Sequence, residues 1–218
     1  MNRKGRKRTI AMDFDPKFAH QPAAPATVGL VLTHGAGGNA NASLLVALGE
    51  ELSKVGVYVL RYNLPFRQQR PFGPPRPGDA TRDREGLKQM TELQRERLGG
   101  RVFLGGQSYG GRQASMLCAE EPKVADGLLL LSYPLHPPGR PEQLRTKHLP
   151  DLRIPCLFVH GTHDPFGSTQ EIETAMKLIP GKTRLLTVER AGHDLGFKGK
   201  SRREELPAAI VQAFQEFF

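Results

Sequence analysis

The chain has 218 residues, 38% of them hydrophobic, and a formal net charge of +9, enough apolar material for one sizeable α/β core. Mean hydropathy is −0.43; no run approaches the roughly 18 apolar residues of a membrane span, and the basic start Met1–Arg8 leads into no secretory h-region. Cys118 and Cys156 are the two cysteines and lie among apolar neighbours, so they read as buried thiols, and a cytoplasmic globule is expected rather than a disulfide scaffold, membrane protein or secreted precursor.

Apolar runs and helical periods alternate along the chain. Val28–Thr33 is a short continuous apolar run ended by His34-Gly35-Ala36-Gly37-Gly38, and Leu44, Leu45, Leu48 and Leu52 then mark one face of a helix. Val57–Leu60 reads as the next strand. Pro65–Asp79 holds five prolines, two glycines and three arginines and reads as a long loop, a feature more often functional than accidental. A helix carrying Leu87, Met90, Leu93 and Leu98 precedes a strand over Val102–Leu104. A helix rich in small residues follows over 109–121, stopped by Pro122. Gly127–Ser132 is a fully apolar strand, and Tyr133–Leu152 a second irregular segment. Cys156–Val159 and Thr183–Val188 are further strands separated by a helix over 168–178. Ile210, Val211, Phe214, Phe217 and Phe218 stripe a closing helix.

Continuous apolar strands alternating with amphipathic helices indicate an α/β fold, a mostly parallel sheet of about six to seven strands with helices on both faces. An additional edge strand is a candidate over Arg8–Met12. The expected organisation is a basic N-terminal arm over 1–20 and a single domain over 21–218. Five of the nine net positive charges fall in residues 1–10. The rest of the chain is only modestly basic and carries no nucleic-acid motif, so the arm reads as solvated and a nucleic-acid partner is a poor reading.

Ligands bind at the carboxyl ends of the strands in an open parallel sheet, which makes the residues just after each strand the informative ones. Gly106-Gln107-Ser108-Tyr109-Gly110 matches G-x-S-x-G between a strand and a helix, the context of a nucleophile elbow. Residues two before and two after the serine must be small so that strand and helix can pass. A serine needs a base, and the base a carboxylate to fix its tautomer. In this arrangement the chain order runs Ser, acid, His. Asp164 and His193 follow successive later strands in that order, and Ser108, Asp164 and His193 are the expected catalytic residues. Asp194 adjoins His193 too closely to face it, and Asp126 precedes its strand. His160, His163 and Asp164 could be read as a metal cluster, but no helix presents them on one face; no metal or cofactor is expected. His160 reads as packed beneath the site, His34 as a structural residue of its glycine loop, and His20, His136 and His148 as surface or loop residues. The oxyanion hole is expected at the backbone N–H groups of Ala36 and Tyr109, with Gly37 a close alternative to Ala36.

The stretches LVLTHGAGGN, VLRYNLPFR, LGGQSYGGRQA, LLLLSYPLHPPG, LRIPCLFVHGTHDPFG and AGHDLGF together resemble the α/β-hydrolase superfamily. Within it they are most similar to the dienelactone-hydrolase-like branch that includes testis-expressed protein 30 and a regulatory subunit of the non-specific-lethal chromatin complex. The resemblance spans roughly residues 28–218. It implies a Ser-Asp-His hydrolase fold and supports Ser108, Asp164 and His193 in their roles; the chain departs from larger hydrolases in lacking their early antiparallel strands and an inserted cap domain, so a compact fold is expected. The resemblance supplies no substrate, and some relatives are regarded as complex subunits. Without a cap only the 65–80 and 133–152 segments can shape a pocket, which argues against long buried acyl chains. The expected function is that of a serine hydrolase of small esters or thioesters. The rival reading is a non-catalytic interaction module on the same fold. Arg61, Arg67, Arg70 and Arg76 lie in or near the mouth loop, as selectors of an anionic substrate or as solvated loop residues.

Overall fold

The computed structural model describes residues 15–197 and 205–218; the edge strand expected over Arg8–Met12 lies outside them. The described strands are β1 (Ala19–His20), β2 (Val28–Thr33), β3 (Val57–Tyr62), β4 (Arg101–Gln107), β5 (Leu128–Leu131), β6 (Cys156–Gly161) and β7 (Thr183–Val188). They form one sheet in the order β1-β3-β2-β4-β5-β6-β7. Only β1 runs antiparallel, pairing Ala19 with Leu60 and His20 with Val59 on β3. The helices are α1 (Ser43–Lys54), α2 (Pro65–Gln69), α3 (Asp79–Leu98), α4 (Tyr109–Glu120), α5 (Thr169–Met176) and α6 (Glu205–Phe217).

Side chains alternate across the pleat, so the apolar strands feed two cores at once. Leu30, Leu32, Val59, Phe103, Leu129 and Leu157 meet α1 and α6 on one face. Val31, Leu104, Leu128, Leu130 and Phe158 meet α3, α4 and α5 on the other. Of the closing phenylalanines, Phe214 packs edge to face on Phe103 at 5.1 Å between ring centroids. Cys118 and Cys156 are free and fully buried. No helix among the described residues is long and apolar enough to cross a membrane.

Two helical segments differ from the sequence expectation. The 65–79 stretch contains α2, a single turn with Pro65 at its first position, where the missing proline N–H costs nothing. In addition, α3 begins at Asp79, two turns before its apolar period becomes visible. Those turns are held by polar contacts: the fully buried Asp83 accepts the Phe66 N–H at 3.0 Å, and Asp79 accepts the Arg76 N–H at 2.6 Å and the Arg70 guanidinium at 2.6 Å.

Strand order reverses at β2: the chain goes out to β3, then returns to β4 on the other side. The carboxyl ends of β2 and β4 therefore flank a topological switch point, where the connecting helices diverge and leave a crevice. The His34–Gly38 loop and Ser108 follow those two strand ends.

Candidate active site

Ser108 sits between β4 and α4 with φ 51° and ψ −116°, a sparsely populated conformation for a non-glycine residue that costs about 1–3 kcal/mol. Its neighbours show why the flanking glycines are required. A Cβ on Gly106 would lie 2.6 Å from the Gly111 nitrogen, and one on Gly110 would lie 2.5 Å from the His34 carbonyl oxygen. Both contacts are to backbone that cannot step aside. The tight passage leaves the Ser108 side chain at the mouth of the turn, partly exposed, at the start of α4.

Asp164 lies in the turn after β6 and His193 in the loop after β7. The Asp164 side chain is buried, and its Oδ1 accepts the Phe166 N–H at 2.9 Å. His193 Nδ1 lies 2.8 Å from Asp164 Oδ2 and 3.0 Å from Oδ1, while its Nε2 lies 2.8 Å from Ser108 Oγ. A carboxylate accepts only, so it holds the proton on Nδ1 and leaves Nε2 as an acceptor towards the serine hydroxyl. The Phe166 ring stacks on the His193 imidazole, with centroids 4.1 Å apart and planes inclined by 29°. Beneath them the fully buried His160 has its Nε2 2.8 Å from the Gly167 carbonyl oxygen and 3.7 Å from Asp164 Oδ2. Burial holds its pKa below the usual histidine value.

The glycine loop after β2 closes the other side. Gly35 lies beside Ser108, where a Cβ would stand at ordinary contact distance, 3.5 Å, from the serine Cβ. Ala36, one residue on, and Tyr109, directly after Ser108, are the two residues expected to offer backbone donors. The Tyr109 ring packs edge-on against Phe66 at 5.7 Å, and its hydroxyl donates to Asp83 Oδ2 at 2.7 Å. Burial and that acceptor push the Tyr109 hydroxyl pKa well up, and burial raises the Asp83 carboxyl. His34 is fully buried: its Nδ1 lies 2.8 Å from the Gly35 carbonyl oxygen and its Nε2 accepts the Leu64 N–H at 3.2 Å. Burial foremost, with a further contribution from the Arg67 charge, lowers its pKa to about 4, so the ring is neutral at pH 7.

The other residues weighed from sequence go elsewhere. Asp194 closes its own turn, accepting the Gly196 N–H at 3.0 Å. Asp126 accepts the Val102 N–H at 2.7 Å and pairs with Arg95 at 3.0 Å, at the amino ends of the strands. His163 is exposed, and among the described residues no three His, Cys, Asp or Glu side chains form a metal-holding group.

Several residues depart from their sequence reading. His148, a half-buried turn residue, is not free in its loop: its Nε2 lies 2.8 Å from Ser115 Oγ, and burial lowers its pKa to about 4. His136 is buried with its Nδ1 2.8 Å from the Pro137 carbonyl oxygen, and His20 Nε2 accepts from Arg61 Nε at 2.7 Å. Arg61 and Arg67 are neither solvated nor turned to a substrate. Both are buried, Arg61 reaching the Lys17 and Ala40 carbonyls and Arg67 four carbonyls of the mouth loops. Sequence spacing carried no sign of these long-range partners, nor of Phe166 against His193.

Several solved structures have a similar architecture. An alpha-beta serine hydrolase homologue from Coxiella burnetii matches with a TM-score of 0.71 and 19% identity, over 89% of each chain. Dienelactone hydrolase from Anabaena variabilis matches with a TM-score of 0.71 and 20% identity, over 92% of this chain and 90% of that one. Est1E from Butyrivibrio proteoclasticus, with ferulic acid bound, matches with a TM-score of 0.72 and 16% identity, over 92% and 94%. At these identities the likeness is one of fold. The sequence itself matches the alpha/beta hydrolase domain family over residues 26–217, nearly the whole chain, and the protein belongs to that family.

Proposed function

We propose that the protein is a serine hydrolase of small acyl esters or thioesters, acting through an acyl-enzyme on Ser108. The observation that carries this reading is the unbroken line from Asp164 Oδ2 to His193 Nδ1 and from His193 Nε2 to Ser108 Oγ, 2.8 Å at each step. A serine hydroxyl within hydrogen-bond reach of an imidazole whose far nitrogen is held by a buried carboxylate is the arrangement that activates a weak nucleophile.

Ser108 Oγ bonds to the substrate carbonyl carbon as its proton passes to His193 Nε2. The carbonyl π pair moves to oxygen, and the Ala36 and Tyr109 N–H groups receive the resulting oxyanion. Collapse of the tetrahedral species breaks the bond to the alcohol or thiol, which leaves with the proton from His193. Water then repeats the steps on the Ser108 ester, releasing the acid and restoring the hydroxyl. Asp164 stays ionised throughout and holds the imidazole in the Nδ1–H tautomer.

Small acyl groups are favoured because only α2 with its following turn and residues 132–155, and no cap domain among the described residues, stand beside the carboxyl ends of the strands to shape a pocket. The similar folds of a dienelactone hydrolase and of Est1E with ferulic acid support an ester-type substrate. The two free buried thiols suit a reducing cytoplasm. A p-nitrophenyl ester series from acetate to laurate tests the proposal: hydrolysis falling with chain length and lost in Ser108→Ala is expected. Hydrolysis by wild type no faster than by Ser108→Ala would contradict it.

A further inference from the structure

Arg67 is 7% exposed, and among the described residues no carboxylate lies within ion-pair distance of it. A guanidinium is always charged, and burying one with only neutral partners costs stability, so a carboxylate-free arginine here needs a reason beyond packing. Its partners are all backbone carbonyls. Nε donates to Gly38 at 2.8 Å, Nη2 to Ala36 at 2.8 Å and to Gly73 at 3.0 Å, and Nη1 to Arg70 at 3.2 Å. The planar fork thus grips two carbonyls of the glycine loop along one edge, a bidentate geometry that lysine cannot reproduce. It also ties that loop to the 70–73 turn of the mouth. The guanidinium lies 4.9 Å from the Phe66 ring centroid, so its own orientation is fixed as well.

The Gly35 carbonyl is held too: it accepts the Gly38 N–H at 3.0 Å and lies 2.8 Å from His34 Nδ1. In a trans peptide the C=O of one residue points opposite to the N–H of the next, and the described chain has no cis bond. Anchoring the Gly35 and Ala36 oxygens therefore turns the Ala36 and Gly37 N–H groups the other way. A cation behind the Ala36 oxygen also stabilises that peptide dipole with its positive end directed away from the guanidinium.

We propose that Arg67 is the positioning residue of the oxyanion-binding loop: gripping the Ala36 and Gly38 carbonyls, it fixes the loop so that the Ala36 N–H, turned outward by the held Gly35 carbonyl, meets the oxygen that becomes negative during acyl transfer. The proposal rests on the hydrolase reading above, and a wild-type protein that neither hydrolyses p-nitrophenyl acetate nor reacts with a fluorophosphonate would remove both. With an active wild type, Arg67→Lys and Arg67→Ala separate the two claims.

A loop that has lost its preset geometry forfeits stabilisation of the transition state rather than of the bound ester. Both variants are expected to lose kcat on p-nitrophenyl acetate by about 10- to 100-fold, with KM within about threefold. Affinity for a phenyl trifluoromethyl ketone, whose hemiketal on the serine carries the oxyanion, should fall by the same factor. Millimolar methylguanidinium should restore part of kcat in Arg67→Ala and none in wild type. If Arg67→Ala does not fold, Arg67→Lys decides on kcat and inhibitor affinity. A kcat within about threefold of wild type in the folded variants, a loss confined to KM, or failure of both to fold would overturn the proposal. Only the last would leave Arg67 a purely structural residue.

Discussion

Lowering the pH from 7 to 5 should destabilise the native state through His34. The ring is fully buried with Nε2 accepting from Leu64 and Nδ1 beside the Gly35 carbonyl, an arrangement that only the neutral Nδ1–H tautomer satisfies. Protonating Nε2 would set N–H against N–H at Leu64. The folded pKa is lowered to about 4 from 6.5, so the unfolded chain takes up the proton first. His34's contribution is therefore intact above about pH 6.5, is lost as pH falls, and levels off below about pH 4. Integrated from pH 7 to pH 5, that difference is worth about 2 kcal/mol. Urea unfolding of wild type and His34→Gln at the two pH values isolates it. The wild type should lose about 2 kcal/mol more than the variant over this interval. Equal losses in the two proteins, or an NMR titration of the His34 ring near its unperturbed value, would refute the reasoning.

Three further outcomes are expected. Asp164→Asn keeps the shape of its side chain but releases the imidazole tautomer, so kcat on p-nitrophenyl acetate should fall by about 10³- to 10⁴-fold with the denaturation midpoint little changed; activity within tenfold of wild type would contradict this role. Gly106→Ala forces a methyl against the Gly110–Gly111 backbone and should cost about 1–3 kcal/mol by overpacking, read from urea midpoints. Cys118 and Cys156 are fully buried, and burial pushes the Cys156 thiol up to about 12 and that of Cys118 well above its ordinary value. Neither should react with Ellman's reagent at pH 8 until urea unfolds the chain, and rapid native labelling of either would contradict that burial.

The strands were legible wherever burial on both faces leaves a continuous apolar run, as in β2, β5 and β6. β3 shows the limit of that signal: it runs on through Arg61 to Tyr62 because the guanidinium finds carbonyls at Lys17 and Ala40, and nothing local in the sequence announces those partners. The first turns of α3 were hidden for the same reason, since Asp79 and Asp83 work there as buried acceptors rather than as solvated charges. Ser108, Asp164 and His193 could be read because each follows a strand end and the glycines around Ser108 have a steric cause. Their support could not. Phe166 stacks on His193 and Arg67 grips the glycine loop through contacts that only the tertiary fold brings into range, and an arginine in a proline-rich stretch looks solvated until its carbonyl partners are known.

The hydrolase reading stands on activation of Ser108 by His193, and covalent labelling with a fluorophosphonate reports that activation. Mass spectrometry of the digested adduct should place a single phosphonyl group on Ser108 in wild type, with no labelling in Ser108→Ala and strongly slowed labelling in His193→Ala. A folded wild-type protein that remains unlabelled, or an adduct that persists in Ser108→Ala, would contradict the account.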